Sequence, residues 1–425
     1  MKPQCRHAVR LLATALAVPL LSHSAGAEEP ADAPVSVEER LEQQEREIDA
    51  LQEQVDDLLK QVAPPPQHPE YEREDGDRPL TDYLNPQIRL DVAAQVHPAM
   101  NIAGDGRDTE VYFVDNDATA SRVRMAGVGT FAQGPQLGTT LEIGFSPNNS
   151  FDVSQDNQLA GDFISVRRAE VWVRDDRFGR LMFGRGSAAS DNAAEFDLSL
   201  VSGTIMTSGA SFVAGGLQFV SNGALTGTTV ADSFFNFDGN RENRARYDTP
   251  MFGPFQLPAS VGANQSYGGA LTFGGDYDHW TGKQLGGFTT LGAVTLYDPN
   301  VPGLDFRMAG SWSMLHDASG LSATFSSGFD EVAAGSRPYN VYGKLGWDTN
   351  LCDQGDTGFG VDYTWTENVS GVGDQGQSVG FAVVQVIDRF GTQIYSQFRW
   401  YSVDRAAGPR FDDIFLGTVG ALVRF

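Results

Sequence analysis

The last eight residues of the chain, TVGALVRF at 418–425, constrain its fold more than any other segment. In a β-strand, Val419, Ala421, Val423 and Phe425 share one face, because successive side chains point to opposite faces. A final strand with an apolar face and a terminal aromatic residue suits a closed β-barrel in lipid, where the protein must satisfy every backbone polar group itself. The alternative is a soluble β-sandwich that ends on a strand.

Composition favours the barrel. The chain carries 48 Gly and 27 Phe, and its formal net charge is −25. After residue 27 there is no window of about 20 apolar residues, so helical membrane spans are excluded. The strong negative charge makes nucleic acid an implausible partner. We therefore expect an all-β transmembrane barrel.

The N-terminus has the pattern of an export signal. A short apolar segment at 11–21 follows three basic residues, Lys2, Arg6 and Arg10. Small residues then occupy 25–27. This arrangement is typical of a secretory signal peptide, and we assign it to residues 1–27.

Residues 28–63 show a different, helical periodicity. Apolar residues recur at alternating steps of four and three, which predicts a short α-helical coiled coil. A single amphipathic helix packed on a globular core is the alternative. The predicted core positions are Val37, Leu41, Gln44, Ile48, Leu51, Val55, Leu58 and Val62. A Pro-rich, charged segment at 64–86 then predicts a stiff linker.

From residue 87 onward, alternating apolar residues broken by Gly, Asn, Asp and Pro predict about sixteen antiparallel strands. The weakest candidate strand is 212–221. Short connections at 175–177 and around Arg389 contrast with long ones expected at 101–118, 147–162 and 185–211. Short turns at one end and long loops at the other are typical of outer-membrane barrels.

Four segments of this region resemble the general Gram-negative porins, which are trimeric barrels of sixteen strands. They are SRVRMAG at 121–127, RAEVWV at 168–173, FGRLMFGR at 178–185, and NRARYDTP at 243–250 followed by FG at 252–253. The C-terminal segment is similar to the signal for insertion of such barrels, with Gly420, Val423 and Phe425 as its main residues. The coiled coil and the linker resemble those of the DcaP-like subgroup, whose coiled coil is periplasmic.

This resemblance implies that 186–215 is a constriction loop that folds into the barrel. Asp191, Glu195 and Asp197 would form its acidic rim, although solvated charges on an external loop are the alternative. Arginines on the facing wall would complete a transverse field.

The alternation of side chains between the two faces of a strand indicates which arginines belong to that wall. Arg122 and Arg124 alternate with Val123 and Met125, and would face inward if the latter face lipid. A charge on the lipid face at mid-depth costs about 2–4 kcal/mol. The same argument applies to the other strand arginines. We predict a basic constriction formed by Arg122, Arg124, Arg246, Arg244 and Arg399, with Arg89, Arg168 and Arg185 as further candidates.

Signatures of catalysis are missing from the sequence, which has no G-x-S-x-G, Walker, H-E-x-x-H or C-x-x-C pattern. We expect no enzyme activity, no cofactor and no metal site. The expected function is passive diffusion of small hydrophilic, preferentially anionic, solutes through a homotrimer in the outer membrane of a Gram-negative bacterium, in contact with lipid and lipopolysaccharide. Two alternatives stay open: a substrate-specific anion or carboxylate channel, and a structural barrel tethered to peptidoglycan through its periplasmic coiled coil.

Overall fold

A computed structural model of the protein describes residues 88–131, 134–160, 164–276, 287–333 and 335–425. The signal peptide, coiled coil and linker predicted for 1–86 lie outside the described residues. The strands are β1 (Ile88–Val96), β2 (Pro98–Gly104), β3 (Thr109–Asp115), β4 (Arg122–Thr130), β5 (Gln136–Phe145), β6 (Ile164–Asp175), β7 (Gly179–Ser187), β8 (Gln218–Ser221), β9 (Ala224–Thr229), β10 (Arg241–Asp248), β11 (Phe255–Gln256), β12 (Pro258–Gly262), β13 (Tyr267–Asp276), β14 (Phe288–Asp298), β15 (Leu304–His316), β16 (Leu321–Val332), β17 (Tyr339–Cys352), β18 (Gly355–Glu367), β19 (Gln375–Ile387), β20 (Thr392–Asp404) and β21 (Ile414–Arg424).

Nineteen of these strands form one antiparallel sheet that closes on itself. The last strand, β21, pairs with β20 on one edge and with β1 and β2 on the other. The strands β1 and β2 share one position in the wall, as do β3 with β4 and β11 with β12. The wall therefore has sixteen positions, and the predicted sixteen-stranded antiparallel barrel is confirmed.

The alternation that suggested a barrel sets the two faces of each strand. In β16, Leu321 and Phe325 are half-exposed on the outer face, while Ser322, Thr324 and Ser326 are buried on the inner face. Apolar side chains outside and polar ones inside are what a barrel in lipid requires. Within the described residues, no helix has the length and apolar composition needed to cross a membrane.

Turns differ between the two ends of the barrel. At one end, β6 and β7 are joined by a tight turn in which Asp175 accepts the backbone N–H of Arg177 at 2.8 Å. Gly179 ends this turn with φ +82°, and a Cβ there would lie 2.2 Å from the carbonyl oxygen of Asp248. At the other end, long connections follow β5 and β7.

Two sequence predictions about the connections are wrong. The segment 101–118 is not one long loop, because most of it forms the β2–β3 hairpin and a 3₁₀ turn at Asp117–Thr119. The segment 212–221 supplies no wall strand. Its last four residues form β8, which pairs with β9 in a separate two-stranded sheet.

The connection between β7 and β10, residues 188–240, folds against the inner face of the wall, and we call it the inner loop. Its backbone bonds to inward-facing side chains of distant strands. The N–H of Phe196 donates to Ser311 on β15 at 2.9 Å, and the carbonyl of Ala210 accepts from Tyr401 on β20 at 2.7 Å. The inner loop extends beyond the predicted 186–215, because it continues through β8, β9 and a short helix, α1 (Val230–Ser233).

A buried ion pair anchors the inner loop to β17. Lys344 Nζ lies 2.6 Å from a carboxylate oxygen of Asp197, and the two side chains are only 1% and 4% exposed. The same ammonium donates to the carbonyl of Met206 at 2.9 Å. Two segments of the inner loop are therefore held by one side chain of the wall.

Replacing Lys344→Met should lower the free energy of unfolding by about 3–5 kcal/mol, because Asp197 would keep a buried charge without a partner. Urea unfolding of the folded barrel in detergent, followed by tryptophan fluorescence, measures this change. The matched control is Lys344→Met with Asp197→Asn, which removes both charges and should cost less. Equal stability of the single variant and the native protein would contradict the anchoring role.

Candidate functional site

A cavity of about 900 Å³ lies between the inner loop and one part of the barrel wall. Arginines from four strands border it on the wall side, and carboxylates of the inner loop border it on the other side. The arginines are Arg122 and Arg124 on β4, Arg167 and Arg168 on β6, Arg241 on β10 and Arg424 on β21.

The two arginines of β4 follow the predicted alternation. Met125, which follows Arg124, is exposed on the outer face, and Arg122 and Arg124 point into the cavity. Arg122 donates to the Gln95 side-chain oxygen at 3.4 Å and to the Thr119 hydroxyl at 3.1 Å. The guanidinium of Arg124 makes no hydrogen bond or ion pair to any described residue. Neither guanidinium is therefore neutralised by a carboxylate in contact.

A β-bulge adds an arginine that alternation does not predict. The β5–β6 register shifts between Glu142 and Ile143, so that Arg167 is an extra residue on β6. Both Arg167 and Arg168 reach the cavity as a result. Arg167 Nε lies 2.7 Å from a Glu142 oxygen, and Arg168 lies 3.8 Å from the other one. Two adjacent arginines in a strand are the sequence signal for this bulge, since strict alternation sends one of them into lipid.

Sequence reasoning also missed Arg241 and Arg424, which stand at the ends of their strands. Arg241 Nε lies 3.9 Å from an Asp191 oxygen. Arg424 donates to the Gln393 side-chain oxygen at 3.1 Å and to the Gly203 carbonyl at 3.0 Å. Strand ends are where boundaries read from sequence are least certain, which applies to Arg241. Arg424 did have a signal, because it alternates with Val423 and Phe425 of the apolar face.

The acidic side of the cavity consists of Asp191, Glu195 and Asp238 on the inner loop and Asp117 on the 3₁₀ turn. Glu195 accepts one hydrogen bond, from the Asn236 amide at 3.0 Å. Burial, with the charge of Asp191 close by, raises the pKa of Glu195 to about 7.

Asp238 was not predicted, and it holds the acidic rim in place. Its carboxylate accepts the backbone N–H groups of Asn192 and Ala194 at 2.6 and 2.8 Å. The hydroxyl of Tyr297 on β14 donates to the Asp238 carbonyl at 2.8 Å. The segment around Asp238 thus links the rim to the wall.

A second cavity of about 500 Å³ adjoins the first and shares Arg168, Asp191 and Glu195 with it. Arg244 and Arg246 border this second cavity, as predicted for the inward face of β10, but both are paired. Arg244 lies 2.5 Å from Glu170, and Arg246 lies 2.7 Å from Asp248.

Besides Arg244 and Arg246, four predicted site residues lie away from the first cavity. Asp197 borders only the second cavity and is paired with Lys344. Arg399 faces inward but is 1% exposed and lies 2.6 Å from Asp362. Arg185 is on the same strand face as the exposed Phe183, and its Nε donates to the Val166 carbonyl at 2.6 Å. Arg89 is exposed near the start of β1 and lies 2.9 Å from Asp91.

The three residues of the predicted insertion signal lie on or directly after β21. Val423 pairs in register with Val96 and Thr392, and Phe425 is 76% exposed. Gly420 lies against Tyr395, where a Cβ would come 2.3 Å from the hydroxyl. Their role in insertion stays a prediction. The coiled-coil core positions lie outside the described residues. No group of three potential metal ligands occurs in the part of the chain that the structure describes.

Comparison with known proteins identifies the family. The chain matches the Gram-negative porin family over residues 93–406, and it belongs to that family. The resemblance to the general Gram-negative porins is thereby confirmed, and the protein is an outer-membrane porin channel. Comparison with curated protein sequences gives no match.

Solved structures agree on the fold. The anion-selective porin from Comamonas acidovorans is 13% identical, with 80% of this chain and 100% of that chain covered and a TM-score of 0.52. OmpT of Vibrio cholerae in a trimer form is 14% identical, with 80% and 99% covered and a TM-score of 0.51. Salmonella typhi OmpF in complex with daunomycin is 10% identical, with 80% and 98% covered and a TM-score of 0.51. At these identities the likeness shows the fold alone.

The raised pKa of Glu195 predicts that ion selectivity depends on pH. Lowering the pH from 8 to 6 should protonate this carboxyl, or the neighbouring Asp238 whose pKa burial also raises, and so remove a negative charge that faces the arginines. The cation-to-anion permeability ratio, obtained from the reversal potential in asymmetric KCl, should therefore fall. Glu195→Gln should have a low ratio at pH 8 already and should change less with pH.

The matched control for this prediction is Glu331→Gln, because Glu331 lies outside the cavity in an exposed pair with Arg337. This variant should keep the pH dependence of the native protein. An identical pH dependence in Glu195→Gln and the native protein would show that Glu195 does not titrate in the ion path.

Proposed function

We propose that this porin is a homotrimer through which small hydrophilic solutes diffuse passively, with a preference for anions, and that the first cavity is the constriction of its pore. The observation that carries this proposal is the set of cavity arginines without a carboxylate in contact. Arg124 has no partner among the described residues, and Arg122 and Arg424 contact only neutral groups.

Free guanidinium groups in a narrow passage raise the local concentration of anions. The constriction would act through Arg122, Arg124, Arg167, Arg168, Arg241 and Arg424 on the wall, opposite Asp191, Glu195 and Asp238. Glu142 neutralises part of the β6 pair, at 2.7 Å from Arg167. The arginines of β4 would therefore contribute most of the anion preference. Transport requires no cofactor and no energy source, since solutes move down their own gradients.

The proposed trimer draws on two features. Exposed apolar side chains such as Val111 and Phe113 on β3 lie on the outer face, and one solved porin of the same fold is described in a trimer form. The coiled coil predicted at 28–63 would gather three chains in the periplasm, with its core positions in contact. Contact with lipid and lipopolysaccharide follows from the location in the outer membrane.

Single-channel recording in a planar bilayer tests the proposal. The mature protein, refolded in detergent and inserted, should increase the current in three equal steps, and asymmetric KCl should give a reversal potential of anion sign. Arg124→Gln should reduce the anion-to-cation permeability ratio by about two- to tenfold, because it removes an unpaired charge of the constriction.

The matched control is Arg177→Gln, at a tight turn where Arg177 is paired with Asp175. It should leave the permeability ratio unchanged. A reversal potential of cation sign would contradict the anion preference, and a folded protein that conducts no current would point to a structural barrel.

A further inference from the structure

We propose that Arg307 on β15 is a positioning residue of the pore, which holds the acidic rim in place through the segment 235–238 of the inner loop. Arg307 borders neither the first nor the second cavity. The inference rests on the proposed function, because it requires the charge of the rim to act on passing ions. It adds a wall residue that touches no solute to the residues that set selectivity.

Three inward-facing side chains on adjacent strands form the anchor of this segment. Tyr297 on β14 and Asp330 on β16 lie directly opposite Arg307 in the register of the sheet. Arg307 Nη2 donates to one oxygen of Asp330 at 2.8 Å, and its Nε donates to the other oxygen. Such a two-point contact fixes the plane of the guanidinium.

The fixed guanidinium holds two aromatic residues of the inner loop. Its central carbon lies 4.6 Å from the ring centre of Phe235 and 5.5 Å from that of Phe237. The two rings are also in edge contact, with centroids 5.0 Å apart. A cation over an aromatic ring is attracted by the negative face of the ring, and more strongly where water is excluded. Arg307 therefore attaches the segment 235–238 to the wall.

Phe237 has a backbone conformation that only its packing can maintain. Its φ of +58° lies in the left-handed region, which bulky residues rarely adopt. Its side chain is buried and enters a recess between Ala309 and Gly328, which face each other across β15 and β16. A Cβ on Gly328 would lie 2.6 Å from the Cβ of Phe237. Strain of this kind persists only where the surrounding structure imposes it, so contact with the wall determines the turn at 235–238.

The turn directs polar groups at the acidic rim. Asn236 and Asp238 flank Phe237, and the Asn236 amide donates to Glu195 at 3.0 Å. The Asp238 carboxylate accepts two backbone N–H groups of the inner loop at 2.6 and 2.8 Å. The hydroxyl of Tyr297 donates to the Asp238 carbonyl at 2.8 Å and lies 3.4 Å from Nη1 of the anchoring guanidinium. The position of the rim thus depends on the anchor.

Loss of the guanidinium releases the turn and takes hydrogen-bond donors from the rim. A donor to a carboxylate favours its ionised form, so its loss raises the pKa. Burial and the charge of Asp191 raise the pKa of Glu195 to about 7, and burial raises the pKa of Asp238 as well. Both carboxyls lose donors with the turn, so the direction is the same for either. Arg241 and Asp117 also act on Glu195, and the substitutions proposed below leave them in place.

The cation-to-anion permeability ratio of single channels, measured as a function of pH, tests the proposal. Arg307→Met should move the midpoint of the pH dependence upward by about 0.5–1 unit, because the rim loses donors. Asn236→Leu removes one donor itself and should shift the midpoint in the same direction. The double variant should shift it by less than the sum of the two, because Arg307 acts in part through Asn236.

A variant of Asp330 separates the positioning role of Arg307 from the field of its charge. By field alone, removal of the positive charge raises the pKa of a nearby carboxyl, and removal of the negative charge lowers it. Asp330→Asn loosens the two-point contact, so the positioning role predicts an upward shift of the midpoint in this variant too. Arg307→Lys keeps the charge but lacks the planar fork, and it should also shift the midpoint upward. These two variants keep the test available if Arg307→Met does not fold.

The matched control is Arg337→Met. Arg337 also lies over an aromatic ring, 4.8 Å from the centre of Phe329, and is paired with the carboxylate of Glu331. This arginine is exposed and has no part in the anchor of the inner loop. Its variant should keep the native midpoint.

Opposite shifts in Arg307→Met and Asp330→Asn overturn the inference, and so does a native midpoint in both Arg307→Met and Arg307→Lys. In either case the pore function stands. A native permeability ratio that does not vary with pH overturns the inference together with the assignment of the constriction. Upward shifts in the variants, combined with a reversal potential of cation sign, support the inference and contradict only the anion preference.

Discussion

The closed ladder of backbone hydrogen bonds is the constraint on which the rest of the structure depends. In lipid, an unpaired strand edge is too costly to exist, so β21 must meet β1 and β2. Closure fixes an inside and an outside for every strand. Charged side chains such as Arg122 and Arg399 are then forced inward, because the outer face is apolar. The position of the charges is therefore a consequence of the barrel and not an independent feature.

The inner loop determines which of the inward-facing charges are buried in ion pairs and which border an open cavity. It packs on the side of the wall formed by β15 to β20, where Lys344 and Arg399 are buried in ion pairs with Asp197 and Asp362. On the other side, the arginines of β4 and β6 border an open cavity. Residues of the same type thus have different environments. Those under the inner loop contribute to stability, and those facing the cavity are available to solutes.

Sequence reasoning predicted the fold well because the alternation of apolar and polar residues is a local signal that recurs along the chain. It predicted the acidic residues of the rim, Asp191 and Glu195, because they lie within a few positions of one another. It could not predict the pairing of Asp197 with Lys344 or of Arg399 with Asp362, since these contacts join distant segments.

Local irregularities account for the other differences between the predicted and the observed structure. The bulge at Glu142 turns Arg167 inward against a period of two. The breaks at His97 and around the 3₁₀ turn at Asp117–Thr119 divide two wall positions into pairs of strands, which made 101–118 resemble a loop. Asp238 lies far along the inner loop from the rim that it holds, and no spacing rule connects the two.

The central claim is that the inner loop lies inside the barrel and leaves an open path beside it. A cross-link between Val201→Cys and Gly360→Cys tests this most directly, since a Cβ at Gly360 would lie 3.6 Å from that of Val201, within the range of a disulfide. The account predicts that this cross-link forms in the folded double variant, unlike in either single variant, and that the channel still conducts. A folded double variant that does not cross-link, or one whose conductance is abolished by the cross-link, would contradict it.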